Sequence, residues 1–250
     1  MQGGRKKPAG GRLKTAAPPS YDELWKGYWG DMQRLGPVHR HIREDIVRRV
    51  TGLDVHTILD VGCGSGENLA ALAALGRYEL SGVDVSHQGI ELARKTVPAA
   101  HLLEVLDVEQ RALPEKFDLV MSIQVVEHIV DDMAAIRNMA AMSRRYVFIS
   151  TLAGRMRSSE LLTGHVRNYT AVELKRKLEV VGLRVVEVSG WGFPFYSPLY
   201  RSLIEVLPGG PPAGPTGRMS RVLARGLYQL YRLNWPGRGD VLSALAEVSG

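Results

Sequence analysis

The sequence predicts an α/β protein built on a mostly parallel sheet with helices on both faces. Three observations carry that prediction. Apolar runs with an acid at or near their end recur around Asp60, Asp84 and Asp107. Helical patterns separate them, and regular alternation of strand with helix is the mark of a parallel sheet. The first run, Thr57-Ile58-Leu59-Asp60-Val61, passes straight into Gly62-Cys63-Gly64-Ser65-Gly66. Without Cβ atoms, such a turn bends sharply and lets the main chain approach a ligand at the start of a helix.

Ordered structure is expected from about Tyr21. The stretch Tyr21–Trp29 is dense in aromatic residues and Gly36-Pro37 breaks it. Ile42, Ile46, Val47 and Val50 then give a helix over about Val38–Val50 its apolar face. This N-terminal layer, residues 21–56, reads either as packing on the sheet or as a lid over the ligand; His39 and His41 read as ordinary surface or packing residues. Leu69, Leu72 and Leu75 mark one face of the helix after the glycines. Tyr78–Ser86 is a second strand ending at Asp84, about twenty residues past the glycine turn, where nucleotide-binding folds place a ribose-binding acid. Ser86 caps a helix over Gln88–Thr96. His101–Val108 is a third strand with Asp107 at its end, and Asp118–Ser122 is a fourth. A helix over Asp131–Met142 precedes a fifth strand, Tyr146–Ser150. Arg155–Asn168 is polar and reads as flexible. Thr170 caps a helix to Val181, Gly182 ends it, and Leu183–Val188 is the next strand.

A long insertion follows, residues 191–239. It holds the aromatic stretch Trp191–Tyr200, a Gly/Pro-rich loop over Pro208–Pro215 and an amphipathic basic helix over Ser220–Leu233. The stripe Leu223, Leu227, Leu230 and Tyr231 reads as core or dimer packing. A wall of the substrate pocket, or a packing layer, is favoured for the insertion over contact with a membrane surface. Asp240–Ala246 is the last strand of a final segment, 240–250.

Composition narrows the class. The chain has 250 residues, 45% of them hydrophobic and 23% charged, as in an ordinary soluble domain. A single cysteine excludes an intramolecular disulfide and fits a reducing compartment, and no secretory signal or spanning helix is expected. A cytoplasmic location follows. The net charge of +6 collects at the ends, with five basic residues and no acid in residues 1–20. That segment reads as a disordered basic tail rather than a nucleic-acid arm.

Two details set the glycine turn apart from a dinucleotide site. Its spacing is G-x-G-x-G, not G-x-G-x-x-G. Asp60 also precedes it, which opposes a pyrophosphate and suits an ammonium or a sulfonium. The stretch Asp60–Gly66 resembles motif I, (D/E)-x-G-x-G-x-G, of the class I S-adenosylmethionine (SAM) dependent methyltransferases, and the strand ending at Asp84 resembles their motif II. Phe117-Asp118-Leu119-Val120, with Glu127-His128 downstream, is similar to the subgroup that includes the ubiquinone-biosynthesis methyltransferases.

The resemblance implies a Rossmann-like fold of seven strands, the last antiparallel, with the SAM-binding core at 57–190. It implies SAM as cofactor and S-adenosylhomocysteine as its product. Asp60, Gly62, Cys63, Gly64, Asp84 and Val85 would line that cofactor, with Asp107 and Val108 at the adenine. Ile123 and Gln124, in the turn after the fourth strand, would meet the methionine end.

Methyl transfer needs alignment and exclusion of water more than covalent help. A hydroxyl acceptor also wants a general base, for which His128 and His165 are the candidates. Some relatives place a metal on E-x-x-E-H with a later histidine. Gln124 stands at the first of those positions and removes an anionic ligand, so no metal is assigned. DNA-base amino-methyltransferases resemble one another in an (N/D/S)-P-P-(Y/F) turn that Ser122-Ile123-Gln124-Val125 lacks, and Cys63 is tied up in the glycine turn. Nucleic acid is thereby disfavoured as substrate. The expected partner is a small-molecule methyl acceptor, modified on oxygen or nitrogen. The rivals are an NAD-dependent oxidoreductase and a catalytically silent SAM-fold binding protein; oligomeric state stays open.

Overall fold

The computed structural model describes residues 20–206 and 217–248. The Pro208–Pro215 loop, and all of the basic tail except Ser20, lie outside the described residues. Ser20 is instead the N-cap of the first helix, α1 (Tyr21–Glu23), in a reciprocal box with Glu23. A π turn (Leu24–Tyr28) leads to α2 (Gly30–Leu35) and then α3 (Pro37–Thr51). Pro37 opens α3 where a missing N–H costs nothing, and Ile42, Ile46 and Val50 form its buried face.

The core then alternates strand and helix: β1 (Thr57–Val61), α4 (Glu67–Ala73), β2 (Glu79–Asp84), α5 (His87–Thr96), β3 (Leu102–Val105) and β4 (Phe117–Ile123). After a 3-10 turn (Val126–His128) come α6 (Asp132–Ala141), β5 (Ser143–Leu152), α7 (Ser158–Leu162), α8 (Ala171–Val180) and β6 (Leu183–Trp191). A π-helical turn (Phe195–Tyr200), α9 (Arg201–Val206), α10 (Arg218–Tyr231) and β7 (Val241–Val248) complete the chain.

The seven strands lie in the order β3-β2-β1-β4-β5-β7-β6. Neighbours from β3 to β5 are parallel, and β7 runs antiparallel to both β5 and β6. Chain order reverses direction between β1 and β4, the position at which open α/β sheets bind ligands beyond their strand ends. Alternate residues of each strand face opposite layers. Leu59, Val61 and Val120 pack with Ile136 and Met139 of α6 and Leu174 and Leu178 of α8. Ile58, Leu119 and Met121 pack on the other face with α3, Leu69 and Leu72 of α4, Ile90 of α5 and Tyr231 of α10.

Several expectations shift. Helix α4 stops at Ala73, one turn early, so Leu75 is left 39% exposed. The third strand ends at Val105: Leu106 N bonds to Asp84 O, and Asp107 O then accepts from Gln110 N and Arg111 N, turning the chain across the sheet edge. The polar stretch at 155–168 is packed rather than loose, because Arg157 and Glu160 are buried. In α10 only Tyr231 of the apolar stripe is fully buried; Leu223 stands 62% exposed. No helix among the described residues is long and apolar enough to cross a membrane.

Candidate active site

A cavity of about 430 Å³ opens at the reversal of strand order, lined by the glycine turn, the ends of β2 and β4, the N-terminal layer, α7 and the π-helical turn. Gly62, Gly64 and Gly66 all have positive φ, at 77°, 51° and 81°. A Cβ on Gly62 would lie 2.3 Å from Val125 Cγ2, and one on Gly64 would lie 2.1 Å from Trp25 Cζ2. Gly62 N and Cys63 N both donate to Val83 O, fastening the turn to the end of β2. Cys63 is buried and its thiol pushed up by burial and the nearby acids, so it packs rather than reacts.

Asp84 is buried and accepts from Gly64 N and Ser86 N, each at 2.8 Å. Burial pushes its carboxyl up to about 6. Asp60 is fully buried and, unlike the other predicted cofactor residues, does not line the cavity; neither of its oxygens has a close hydrogen-bond partner, and burial together with the Asp84 charge pushes it up to about 7 against the pull of Asn68. An unsatisfied buried acid is costly unless a ligand donor meets it. Val85, Asp107, Val108, Ile123 and Gln124 line the same cavity. Gln124 is the non-glycine residue with positive φ (57°) among the described residues; its N–H donates to Ser150 O at 2.7 Å, which holds the turn after β4 in this sparsely populated conformation.

His128 and His165, 37 positions apart in sequence, meet in space, with ring centroids 4.4 Å apart. Val166 N donates to Glu127 O, His165 N donates to Glu160 O, and Arg167 pairs with Asp132 at the start of α6. These bonds lay the loop after α7 onto the 3-10 turn that carries His128. Burial and the adjacent His165 push His128 down to about 3. His165 is also lowered by burial, but Glu160 and Asn168 oppose the shift. Glu127 is fully buried; its Oε2 accepts from Thr151 Oγ1 at 2.7 Å, and burial pushes it up to about 7. One ligand atom from each of Glu127, His128 and His165 lies within 4.8 Å of the others, and Glu127 Oε1 and both Nδ1 atoms have no hydrogen-bond partner.

The N-terminal layer lies over the glycine turn. Trp25 packs on Gly64 and beside Gly89, Trp25 and Trp29 meet edge to face at 4.9 Å, and Tyr21 and Trp29 each approach His128. Asp22 anchors the segment by accepting from Ser86 Oγ and Gln88 N at the start of α5. His39, read from sequence as an ordinary residue, lines the cavity, and burial pushes it down to about 4. His41 packs between Trp191 and Tyr228. Sequence reasoning also missed Arg157 and Arg201 in the cavity wall. No local pattern marks a buried arginine, since its burial is decided by distant partners.

Strand order, glycine turn and strand-end acids together define the Rossmann-like fold of the class I SAM-dependent methyltransferases. A family model described as a methyltransferase domain matches residues 28–188, more than half of the chain. The chain belongs to that family, whose members take their methyl group from SAM. Among its relatives is a ubiquinone biosynthesis O-methyltransferase of Bradyrhizobium diazoefficiens, 30% identical over 150 residues, covering 53% of this chain and 59% of that protein. The chain thus spans little more than half the length of that relative. The fold is similar to that of phosphoethanolamine N-methyltransferase 2 of Haemonchus contortus, solved with SAM (TM-score 0.63, 17% identity, 91% of this chain and 57% of that one). It is also similar to a SAM-dependent methyltransferase of Archaeoglobus fulgidus (TM-score 0.57, 18% identity, 91% and 100% covered).

Proposed function

We propose that this protein methylates a hydroxyl of a small-molecule acceptor in the cytoplasm, with SAM as donor and the histidine pair handling the proton. The observation that carries this is the cavity that joins the glycine turn, Asp84 and Asp107 to His128 and His165. When bound, SAM would supply an electrophilic methyl on its sulfonium, for transfer in line to the acceptor oxygen as the S–CH3 bond breaks and S-adenosylhomocysteine leaves. The site fits that cofactor: Asp60, directly before the glycine turn though not itself in the cavity lining, supplies a charge that suits a cationic ligand, and the glycine turn offers a close backbone approach. Asp84 would hold the ribose hydroxyls, Asp107 and Val108 the adenine, and Ile123 and Gln124 the methionine end. His165 takes the acceptor's proton, since Glu160 beside it favours the imidazolium, and His128 orients it. Residues 21–56 act as the lid, and the aromatic rings of its first helical turns keep water from the reacting atoms.

Calorimetric titration with SAM, S-adenosylhomocysteine and NAD tests the reading. Heat from the first two alone is expected; heat from NAD alone would overturn the assignment of the glycine turn.

The cluster of Glu127, His128 and His165 supports a second reading, in which a divalent cation binds there and polarises the acceptor hydroxyl. One carboxylate and two imidazoles suit zinc or manganese better than calcium. Metal analysis of the purified protein, followed by chelation and re-addition, separates the two. Activity indifferent to a chelator removes the metal.

A further inference from the structure

The cavity wall contains two buried arginines, each with an Nε that meets no acceptor, whose Nη groups differ in satisfaction. Arg201, 5% exposed, is held at both ends of its fork: Nη1 donates to Asp240 Oδ2 and to Ala153 O, and Nη2 donates to Glu160. Arg157, 7% exposed, has one long hydrogen bond, from Nη1 to Arg155 O at 3.5 Å. Its neighbouring carboxylates, Asp240 at 3.7 Å, Glu160 at 3.9 Å and Glu205 at 4.0 Å, all stand beyond hydrogen-bond reach. Its Nε is buried and meets no acceptor. A guanidinium has five donors in a rigid fork, and burying it with most of them unmet is expensive. A cation kept in a cavity wall under those terms is suited to an acceptor group that arrives with the ligand.

We propose that Arg157 receives a carboxylate of the methyl acceptor, so that the substrate is an aromatic hydroxy acid. This rests on the methyltransferase reading above. The planar fork matches a carboxylate with two parallel bonds. Formal charge favours a monoanion: Arg155, Arg157 and Arg201 face Glu160, Glu205 and Asp240, three against three. A phosphate dianion would add twice the charge beside three carboxylates. Tyr196 and Tyr200 line the same cavity and give its wall an aromatic surface that suits an aromatic body. Glu160 ties the subsite to the proposed base. It accepts from Arg157 N and Asn168 Nδ2, pairs with Arg201, and its carbonyl accepts from His165 N. Arg201 is the positioning residue of this group, holding Glu160 and Asp240 in place.

The test is calorimetry on protein saturated with S-adenosylhomocysteine. The probes are hydroxybenzoates and hydroxynaphthoates, each beside its own carboxamide. The acids are expected to bind at least about tenfold more tightly than the amides, as for a charge-assisted pair. Arg157→Gln should erase that preference and Arg157→Lys should restore part of it, with S-adenosylhomocysteine affinity unchanged in both. Equal binding of acid and amide by the unaltered protein overturns the subsite, as does failure of every acid to bind or a preference that survives Arg157→Gln. Failure of S-adenosylhomocysteine itself to bind overturns the methyltransferase reading and the subsite with it.

Discussion

At the scale of single residues, Asp84 and Gln124 make the sharpest tests. Asp84 already accepts two backbone N–H groups, which aims its carboxylate across the glycine turn. Asp84→Ala should weaken SAM about tenfold to a hundredfold, the worth of one or two hydrogen bonds to a charged group. Unchanged affinity in calorimetry would displace the cofactor from this end of β2. Gln124 holds a left-handed backbone at φ 57°, which costs a non-glycine residue about 1 kcal/mol. Gln124→Gly should therefore leave the melting temperature level or raised while SAM affinity falls, because the side chain lining the cavity is lost. A variant that melts earlier, with affinity intact, would make Gln124 a structural residue. The strand-end acids were legible in the sequence because each follows an apolar run, a purely local signal. Arg157 was not legible, since what marks it is burial and unmet donors created by segments far away in the chain.

At the scale of elements, the proposed lid makes its own prediction. Trp25, in the π turn after α1, rests on Gly64, where a ligand seated against that backbone would meet it. Asp22 would be the latch of such a lid, bonded to Ser86 Oγ and Gln88 N. Asp22→Ala should speed both association and dissociation of SAM in stopped-flow fluorescence while changing the equilibrium constant little. Rates that do not move would leave the layer as packing. The parallel core was readable from strand-helix alternation and its caps, Ser86 and Thr170, each of which accepts from the third N–H of its helix. The segments at either end of the core were not. Helix α7 takes its shape from ion pairs among Arg157, Glu160 and Arg201, and α10 seats Tyr231 and part of Leu227 on the core while Leu223 and Leu230 stay exposed. Which apolar residues of a helix find a partner is decided by distant segments, not by a sequence window.

For the whole molecule, the titrating groups oppose one another, and cofactor binding should expose the imbalance. Asp60, Asp84 and Glu127 have raised values, about 7, 6 and 7. Such acids contribute stability that is complete below their unfolded values near 4 and is lost as pH rises toward 7. His39 and His128 are depressed to about 4 and 3, and His41 and His165 are lowered as well. Buried neutral histidines contribute stability above about pH 6.5 that is lost as pH falls toward their folded values. Between pH 5 and 6.5 the two sets pull in opposite directions, so the ligand-free protein should melt at a nearly constant temperature across that window. With SAM seated as proposed, the balance would change, because its cationic end and ribose hydroxyls would favour ionised Asp60 and Asp84. Ionising an acid costs about 1.4 kcal/mol more for each pH unit below its own value, or about tenfold in affinity per carboxylate that must ionise. SAM affinity should therefore rise steeply from pH 5 and level off above pH 7, and the shift in melting temperature that SAM produces should grow over the same range. A flat affinity profile from pH 5 to 8, with SAM still bound, would mean that neither acid changes its protonation when the cofactor arrives.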